Sequence, residues 1–560
     1  MTARPNCAIH YIPEAYQGDK RGVVGRQSAG AGFLDALIRH GGLDTLYCVT
    51  DDERHAADFR ARVAAVAPGQ ATDWLMPFDG PSIGRAGCLF TPGPLIAESA
   101  WMRRFAGERS YSLCGITHSV ATERVIRSIR DVMVAPTQGW DALICTSQAA
   151  RAVIGRILEV WTEYLASRGF TVGPQPVRFP VIPLGVHAED YAASDAAVEP
   201  GRALRTRLGA EPDDVVLLHF GRLDFRSKSH PTPLFRAVDL ARHIHRRSRL
   251  HLLMVGQFSD AVNARDFQTA QHLYCPAVPV HWIDGADTAL ARASWTAADI
   301  FVSLSDNVQE SFGMTPVEAM AAGLPAVVSD WNGYRETVVE GETGFRIPTL
   351  GAPAGAGIDL ADDHARRRFD HFTLIAHTAQ STAIDIDACA AAIARLAGDA
   401  ALRRRMGAAG RHRAETVYDW RRIIAAYQEL WDELAAIRAH ATTLGERQAG
   451  RHTVHPDYPD LFALFAGHPS AVLDDDMTVA WADADAPYGL RRSRLLQIDL
   501  HSDPVMLDRP AIDRLVDSLT PGPRRVGDLA ADIGPADRAR LQRSLLRLYK
   551  FGILTIARPA

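Results

Sequence analysis

The chain has 560 residues, 47% of them hydrophobic and 23% charged, with a formal net charge of −5. This is ordinary globular composition, long enough for two to four domains at roughly 100–200 residues each, and its weak negative balance argues against a general nucleic-acid binder. Seven cysteines, an odd number with no C-x-x-C pair, argue against a disulfide framework or a structural zinc, and no uncharged apolar run approaches the 18 or so residues of a membrane span.

The opening segment, "MTARPNCAIHYIPEAY", offers no apolar run suited to a signal peptide. The expectation is a cytoplasmic protein, with peripheral contact at the inner membrane face left open. "RGVVGRQSAGAGFLDALIRHG" (21–41) reads as a glycine-rich turn entering a helix, with Gly30 and Gly32 allowing close backbone approach. Any tight strand-to-helix turn would read the same way. Further on, "GPLIAESAWMRRFAGERS" (93–110) carries Arg103, Arg104 and Arg109, which would suit a phosphorylated or acidic ligand. "YSLCGITHSVATERV" places His118 just past an apolar run, and "DALICTS" (141–147) is a strand with Asp141 and Ser147 as candidate caps. This first sheet is expected to close near 185, in the turn-rich "VIPLGVHAEDY" (181–191).

A second sheet is expected from about 215. Its strands are "DVVLLHFGR" (214–222), "LHLLMVGQ" (250–257), "ADIFVSLS" (298–305) and "PAVVSD" (325–330). Near-continuous apolar runs of this length suit strands buried on both faces, and the helical patterns between them imply βαβ units in a parallel sheet. Arg222 and Lys228 follow the first of these strands in "LLHFGRLDFRSKSHP". A cation pair there would stabilise the charge that grows on a departing diphosphate. The plain alternative is a solvated basic loop that includes Arg226. "HWIDGADTALARASWTAADI" puts Trp282 to Gly285 after a further run. The stretch 350–385 reads as an insertion or long loop, and 418–441 as a helix with apolar positions at 3–4 spacing.

The most informative stretch is "QESFGMTPVEAMAAGLPAVVSD" (309–330). Thr315, Pro316 and Glu318 read as a capping box with proline at the first helical position, and the helix should end at Gly323-Leu324-Pro325. Its N-terminus, approached closely through Gly313, is an anion site. Glu310 and Glu318 flank it. A carboxylate there would repel phosphate but accept hydrogen bonds from hydroxyls, which suits a nucleotide-sugar. The alternatives are that Glu318 only completes the cap and that Glu310 is a plain loop carboxylate.

"ESFGMTPVEAMAAGLPAVVSDWNGYRETVVEGETGFRIP" resembles the E-x7-E signature of the family-4 retaining glycosyltransferases with the GT-B fold. The resemblance covers about residues 5–440. It implies that Glu310 contacts the donor sugar, that Gly313, Met314 and Thr315 present backbone to sugar or phosphates, and that Glu318 holds the ribose. Arg222 and Lys228 resemble the family's diphosphate-binding pair, here six apart where many members have five. Gly30 and Gly32 resemble the first-domain loop that faces the donor. His118 matches a histidine that touches the donor sugar, and 282–285 the place where backbone meets the base. The implied reaction moves a sugar to a hydroxyl acceptor (a glycan, a lipid-linked or a small molecule) with retained configuration. No carboxylate nucleophile is evident, so retention would follow a front-face route. No cofactor is expected beyond the donor, and no metal.

The fold class expected is thus α/β, with two doubly wound Rossmann-like domains facing a cleft. Residues 1–185, with the returning helix 418–441, form the acceptor domain, and 186–417 the nucleotide-sugar domain. Residues 445–560 form an accessory domain, opening on a turn-rich linker and winged-helix-like from about 504. From residue 504 onward ten Lys/Arg face six Asp/Glu. The excess is mild, so docking to a protein or self-association is favoured over nucleic acid. "HTVHPDYPD" and "LDDDMTVAWADADAP" lack metal-ligand spacing. The rival readings are a non-enzymatic nucleotide-sugar sensor or scaffold acting through this tail, and another GT-B enzyme such as an epimerase or phosphorylase.

Overall fold

The computed structural model describes residues 6–17, 25–191, 195–441, 455–483, 486 and 505–558. The chain forms two compact units, residues 1–447 and 448–560. The first holds two six-stranded sheets whose ladders are all parallel. Strands β1 (Ala8–His10), β2 (Thr45–Val49), β3 (Ala71–Leu75), β4 (Cys88–Thr91), β5 (Ser112–Ile116) and β6 (Ala142–Ile144) lie in the order β3-β2-β1-β4-β5-β6. Strands β7 (Val215–Phe220), β8 (Leu250–Gly256), β9 (Val280–Asp284), β10 (Ile300–Ser303), β11 (Ala326–Ser329) and β12 (Gly344–Ile347) run β12-β11-β10-β7-β8-β9. The second order repeats the first. In each sheet it reverses between the first and fourth strands, which is where open α/β sheets part to admit a ligand. Every residue of β4, β5, β6, β10 and β11 is buried, as the apolar runs predict for strands covered on both faces.

The two domains are joined by two crossings that pair with each other. Val186 N–H donates to Tyr418 O at 2.8 Å, and Trp420 N–H to Val186 O at 3.1 Å. Helix Trp420–His440 then returns to the first domain, as expected. Its Arg438 Nη1 donates to Gly87 O at 2.5 Å and Gln428 Nε2 to Gly41 O at 2.9 Å. Trp420 is 2% exposed, its ring wedged where a Cβ on Gly32 or Gly185 would come within 3.1 Å or 2.4 Å of it.

Gly32 is therefore a packing glycine. Gly30 is another, since a Cβ there would meet Ala15 O at 2.1 Å. Both lie inside helix Gly25–His40, so neither belongs to the glycine-rich turn expected at 21–41. The part of that segment before Gly25 lies outside the described residues. The stretch 350–385 also departs from expectation. It holds helices Ile358–Ala365 and His371–Ala379 and the antiparallel pair β13 (Thr349–Leu350) and β14 (Ala383–Ile384).

The second unit packs helices Arg509–Leu519, Val526–Ile533 and Arg538–Lys550, in the order read from sequence, around Leu515, Leu529 and Leu545. Its antiparallel sheet joins β15 (Thr478–Trp481) to β16 (Arg524–Arg525) and β17 (Leu554–Ala557). Strand β15 and Met477 belong to this core, so it draws on chain well ahead of 504. Most of the expected linker near 445 lies outside the described residues. Among the described residues no helix is long and apolar enough to cross a membrane.

Candidate active site

The loops leaving β7 and β10 emerge side by side because the two strands are neighbours at the reversal point. Hydrogen bonds stitch them together. Ser305 Oγ donates to Lys228 O at 3.2 Å, Asn307 Nδ2 to Arg226 O at 2.8 Å, and His230 N–H to Asp306 Oδ2 at 3.1 Å. This fixes Lys228 whatever its spacing from Arg222. Its ammonium forms an ion pair with Glu310, both side chains 14% exposed. Burial alone would lower the lysine pKa, but the Glu310 carboxylate and Tyr334 outweigh it and hold Lys228 above the ordinary range. Tyr334 lies under the ammonium, 6.0 Å from nitrogen to ring centre, and its hydroxyl shares a 2.9 Å hydrogen bond with Ser303 Oγ. Arg222 sits close enough to Lys228 to oppose its charge. It makes no hydrogen bond or ion pair among the described residues, so the pocket carries positive charge in excess of Glu310.

The helix beside this pair is Met314–Ala321. The capping box is not formed. Gly313 is the N-cap, in the left-handed region at φ 87°, and the Thr315 hydroxyl is buried without a hydrogen-bond partner. The reason lies at Gly313, where a Cβ would come within 2.1 Å of the Tyr334 ring. Close approach of that ring sets the turn and starts the helix one residue ahead of Thr315. The C-terminal end is as expected, with Gly323 left-handed at φ 79°. Freed from the cap, the Glu318 side chain meets the Tyr191 hydroxyl. Burial pushes the Glu318 carboxyl up to about 7, against the pull of Lys228 and Tyr191. Arg222, Lys228, Glu310 and Glu318 are thus brought together at one end of the second sheet, around the N-terminus of an eight-residue helix.

His118 belongs to the first domain, just past β5. It lines a first-domain cavity with Tyr16, Gly30, Phe33, Pro92 and Trp420. Burial, with Arg26 adding to it, pushes its pKa down to about 4, so the ring is neutral. No hydrogen bond or ion pair among the described residues links it to the Lys228 cluster. Trp282 lies in β9, edge-on to Phe235 and tilted against Phe258, and Gly285 N–H donates to Gly256 O at 3.1 Å.

The arginines of 93–110 are engaged. Arg103 is fully buried in a two-pronged pair with Asp141, at 2.5 and 2.8 Å. Arg104 pairs with Glu108 at 3.3 Å, and Arg109 donates to Ala439 O at 2.9 Å. Arg103 is thus closed to any ligand, Arg104 is half-buried, and Arg109 alone of the three is exposed. Asp141 is a structural ligand of Arg103. Ser147 is a helix cap, accepting from Ala150 N–H, and its hydroxyl also donates to Ser311 O at 2.6 Å. Next to it, Glu336 of the second domain accepts from Gln148 N–H at 2.9 Å and Ala149 N–H at 3.1 Å. Tyr191, Tyr334 and Glu336 were missed by sequence reasoning. Tyr334 and Glu336 stand in the quoted signature stretch, whereas Tyr191 carries no local signal at all.

Residues 202–353 match the family model for glycosyl transferases group 1. Among relatives, D-inositol 3-phosphate glycosyltransferase of Kineococcus radiotolerans is 29% identical over 281 residues, 48% of this chain and 54% of that protein. D-inositol 3-phosphate glycosyltransferase 2 of Catenulispora acidiphila is 31% identical over 180 residues, 31% of this chain and 40% of that protein. The chain therefore spans about half the length, or less, of these relatives. Among solved structures, a glycosyltransferase from Rickettsia africae superposes with a TM-score of 0.50 at 12% identity, over 78% of this chain and 99% of that one. That likeness concerns the two-sheet frame alone, and the frame agrees with the strand orders above. The match falls on the half of the frame that gathers Arg222, Lys228, Glu310 and Glu318, and over residues 202–353 the chain is similar to the glycosyl transferases group 1.

Proposed function

We propose that the chain transfers a sugar from a nucleotide-sugar to a hydroxyl acceptor with retention at the anomeric carbon. The observation that carries this reading is the convergence of an unpaired Arg222, the Lys228–Glu310 pair and Glu318 on one helix N-terminus. A nucleoside diphosphate sugar needs those three chemistries. Its diphosphate takes Arg222, Lys228 and the free N–H groups of Met314 and Thr315. Its ribose diol takes Glu318, which is held by Tyr191. Its sugar hydroxyls take Glu310. Without donor, Glu310 neutralises Lys228. With donor, the ammonium is shared with the diphosphate and Glu310 is released towards the sugar.

The step then needs charge stabilisation on the departing phosphate, which aimed donors in a partly dry site supply. Two cations and a helix terminus suffice for it, so the reading requires no metal in the transfer step. His118, neutral, serves as a hydrogen-bonding wall from the first domain. The leaving phosphate takes the acceptor proton on the same face, which accounts for retention without a carboxylate nucleophile. The names of the two relatives point to an inositol phosphate acceptor. Here the candidate phosphate-binding arginines are engaged, and the proposal stops at a hydroxyl compound.

The test is a thermal-shift panel of UDP-, GDP- and ADP-sugars on the wild type and on Glu318→Ala. A donor present at 100 times its Kd adds about 2.7 kcal/mol of stability. One donor class should stabilise the wild type and leave the variant unmoved. Equal stabilisation of both proteins would remove Glu318 from the donor site, and no stabilisation by any donor would count against the enzyme reading.

A further inference from the structure

Beside the paired crossings at Val186 and Tyr418–Trp420, three side chains converge from separate places in the sequence. His40 is the last residue of helix Gly25–His40, while His187 and Glu189 stand on the first crossing. One donor atom from each lies within 4.8 Å of the other two, and no other such group of three His, Cys, Asp or Glu occurs among the described residues. The Nε2 atoms of His40 and His187 are both shut off from solvent; that of His40 has no hydrogen-bond partner among the described residues, and that of His187 faces the Asp35 carboxylate. Buried polar atoms are normally paired, so the orphaned His40 nitrogen beside a second imidazole, with ring centres 6.3 Å apart, asks for a ligand.

We propose that His40, His187 and Glu189 bind a zinc-type divalent cation where the chain passes between the two domains. Two imidazoles and one carboxylate are the ligand set of borderline cations such as Zn²⁺ and Co²⁺. Donors bound at about 2.0–2.2 Å to one tetrahedral zinc ion stand about 3.3–3.6 Å apart, so the three must draw in by up to about 1.5 Å, which side-chain rotation at this partly open position can supply. Asp35 adds negative charge, its Oδ2 3.1 Å from His187 Nε2. The competing partner is Arg421, which holds Glu189 at 2.7 Å in an exposed pair. Such pairs contribute little, and the guanidinium can yield its place. The fourth position is left for water.

The consequence is mechanical. Two residues past Glu189 the same crossing presents Tyr191, whose hydroxyl meets Glu318. A cation that ties helix Gly25–His40 to the crossing would hold the donor pocket's Tyr191 in register from outside. Sequence spacing hides the site, because 146 residues separate His40 from the other pair (His187 − 1 − His40).

The experiment uses the full chain, stripped with a chelator and titrated with Co²⁺. Expected are one equivalent bound, visible absorption bands of a four- or five-coordinate ion, and a higher melting temperature. His40→Ala and His187→Ala should each weaken binding by tenfold or more. Glu189→Gln, at an exposed position where misfolding is not an issue, should also weaken it and lower the band intensity. Co²⁺ binding that is unchanged in Glu189→Gln and in both histidine variants, or no saturable binding at all, overturns the proposal.

Discussion

Two ion pairs in the first unit look alike on paper and do different work. Arg103–Asp141 is fully buried, and each carboxylate oxygen is engaged twice. Besides the guanidinium, Asp141 accepts from Leu113 N–H at 2.9 Å and Gln138 N–H at 2.8 Å. Lys228–Glu310 is partly open to solvent, stands beside an unpaired arginine, and adjoins a carboxyl whose pKa is driven up to about 7. A buried carboxylate with both oxygens filled has nothing left to offer a ligand and holds architecture, even with Arg103 Nε beside it left unpartnered. A pair in surplus positive charge, next to free helix N–H groups, is a site waiting for an anion. The difference lies in the count of satisfied partners, not in the residue types.

The sharpest way to break the comparison is at the fully buried pair. Asp141→Ala leaves the Arg103 guanidinium buried without its partner and should cost about 3–5 kcal/mol of stability, read by denaturant unfolding. A loss under about 1 kcal/mol would mean that Arg103 finds water, and the pair is not architectural. Next comes the open cluster. Arg222→Ala should leave unfolding nearly unchanged. It should raise the barrier to transfer by about 2.7–4 kcal/mol, a 10²–10³-fold loss in turnover. A loss below tenfold with saturating donor would take Arg222 away from the leaving group.

A smaller effect sharpens the contrast between the loops. Asp306, 3% exposed, is pushed up to about 7 by burial, partly offset by His230 N–H. Its folded pKa exceeds its unfolded value near 3.8, so between those values the folded protein holds the extra proton. Stability from this group is present below about pH 4 and is lost as pH rises through about 7, at no more than about 1.4 kcal/mol per pH unit. Asp306→Asn keeps an acceptor for His230 N–H and removes the titration. Its stability relative to wild type should therefore climb from pH 4 to pH 8. A flat difference across that range would place the carboxyl in contact with water.

How far the sequence could be read follows the same line between local and assembled features. The strands at 215–220, 250–256, 300–303 and 326–329 were legible because strands covered on both faces must be apolar throughout. Arg222, Lys228 and Glu310 could be placed near one another from sequence because they stand on the loops after β7 and β10, and Glu318 because it lies on the short helix that follows. The capping box was misread because Thr315, Pro316 and Glu318 satisfy its pattern locally, while the deciding group is the ring of Tyr334, sixteen to nineteen residues away. Gly30 and Gly32 were misread for the same cause. Their neighbours are Ala15 and Trp420, and a glycine required by a distant indole carries the same letter as one required by a phosphate. Tyr191 and the His40–His187–Glu189 group were invisible, since chain crossings assemble them.

The smallest effect concerns a contact that belongs to neither ion pair. Glu336, from the second domain, caps the N-terminus of the first-domain helix Gln148–Ser167 through Gln148 and Ala149 N–H. The Ser147 hydroxyl, one residue earlier, reaches Ser311 O beside Glu310. These bonds exist only while the domains are apposed as described, so they bias closure without touching the donor pocket's charge. Removing the carboxylate forfeits a cap worth about 1 kcal/mol and a dipole contact of about 0.3–1 kcal/mol. Glu336→Ala should thus populate a more open form, seen as a larger radius of gyration by small-angle scattering. Donor affinity should weaken by no more than about thirtyfold, since the two contributions together reach about 2 kcal/mol and each 1.4 kcal/mol is tenfold. Glu336→Gln, which keeps one acceptor and loses the charge, should fall between. If Glu336→Ala matches the wild type in scattering and in donor affinity, the contact only decorates an interface fixed by the returning helix at Trp420.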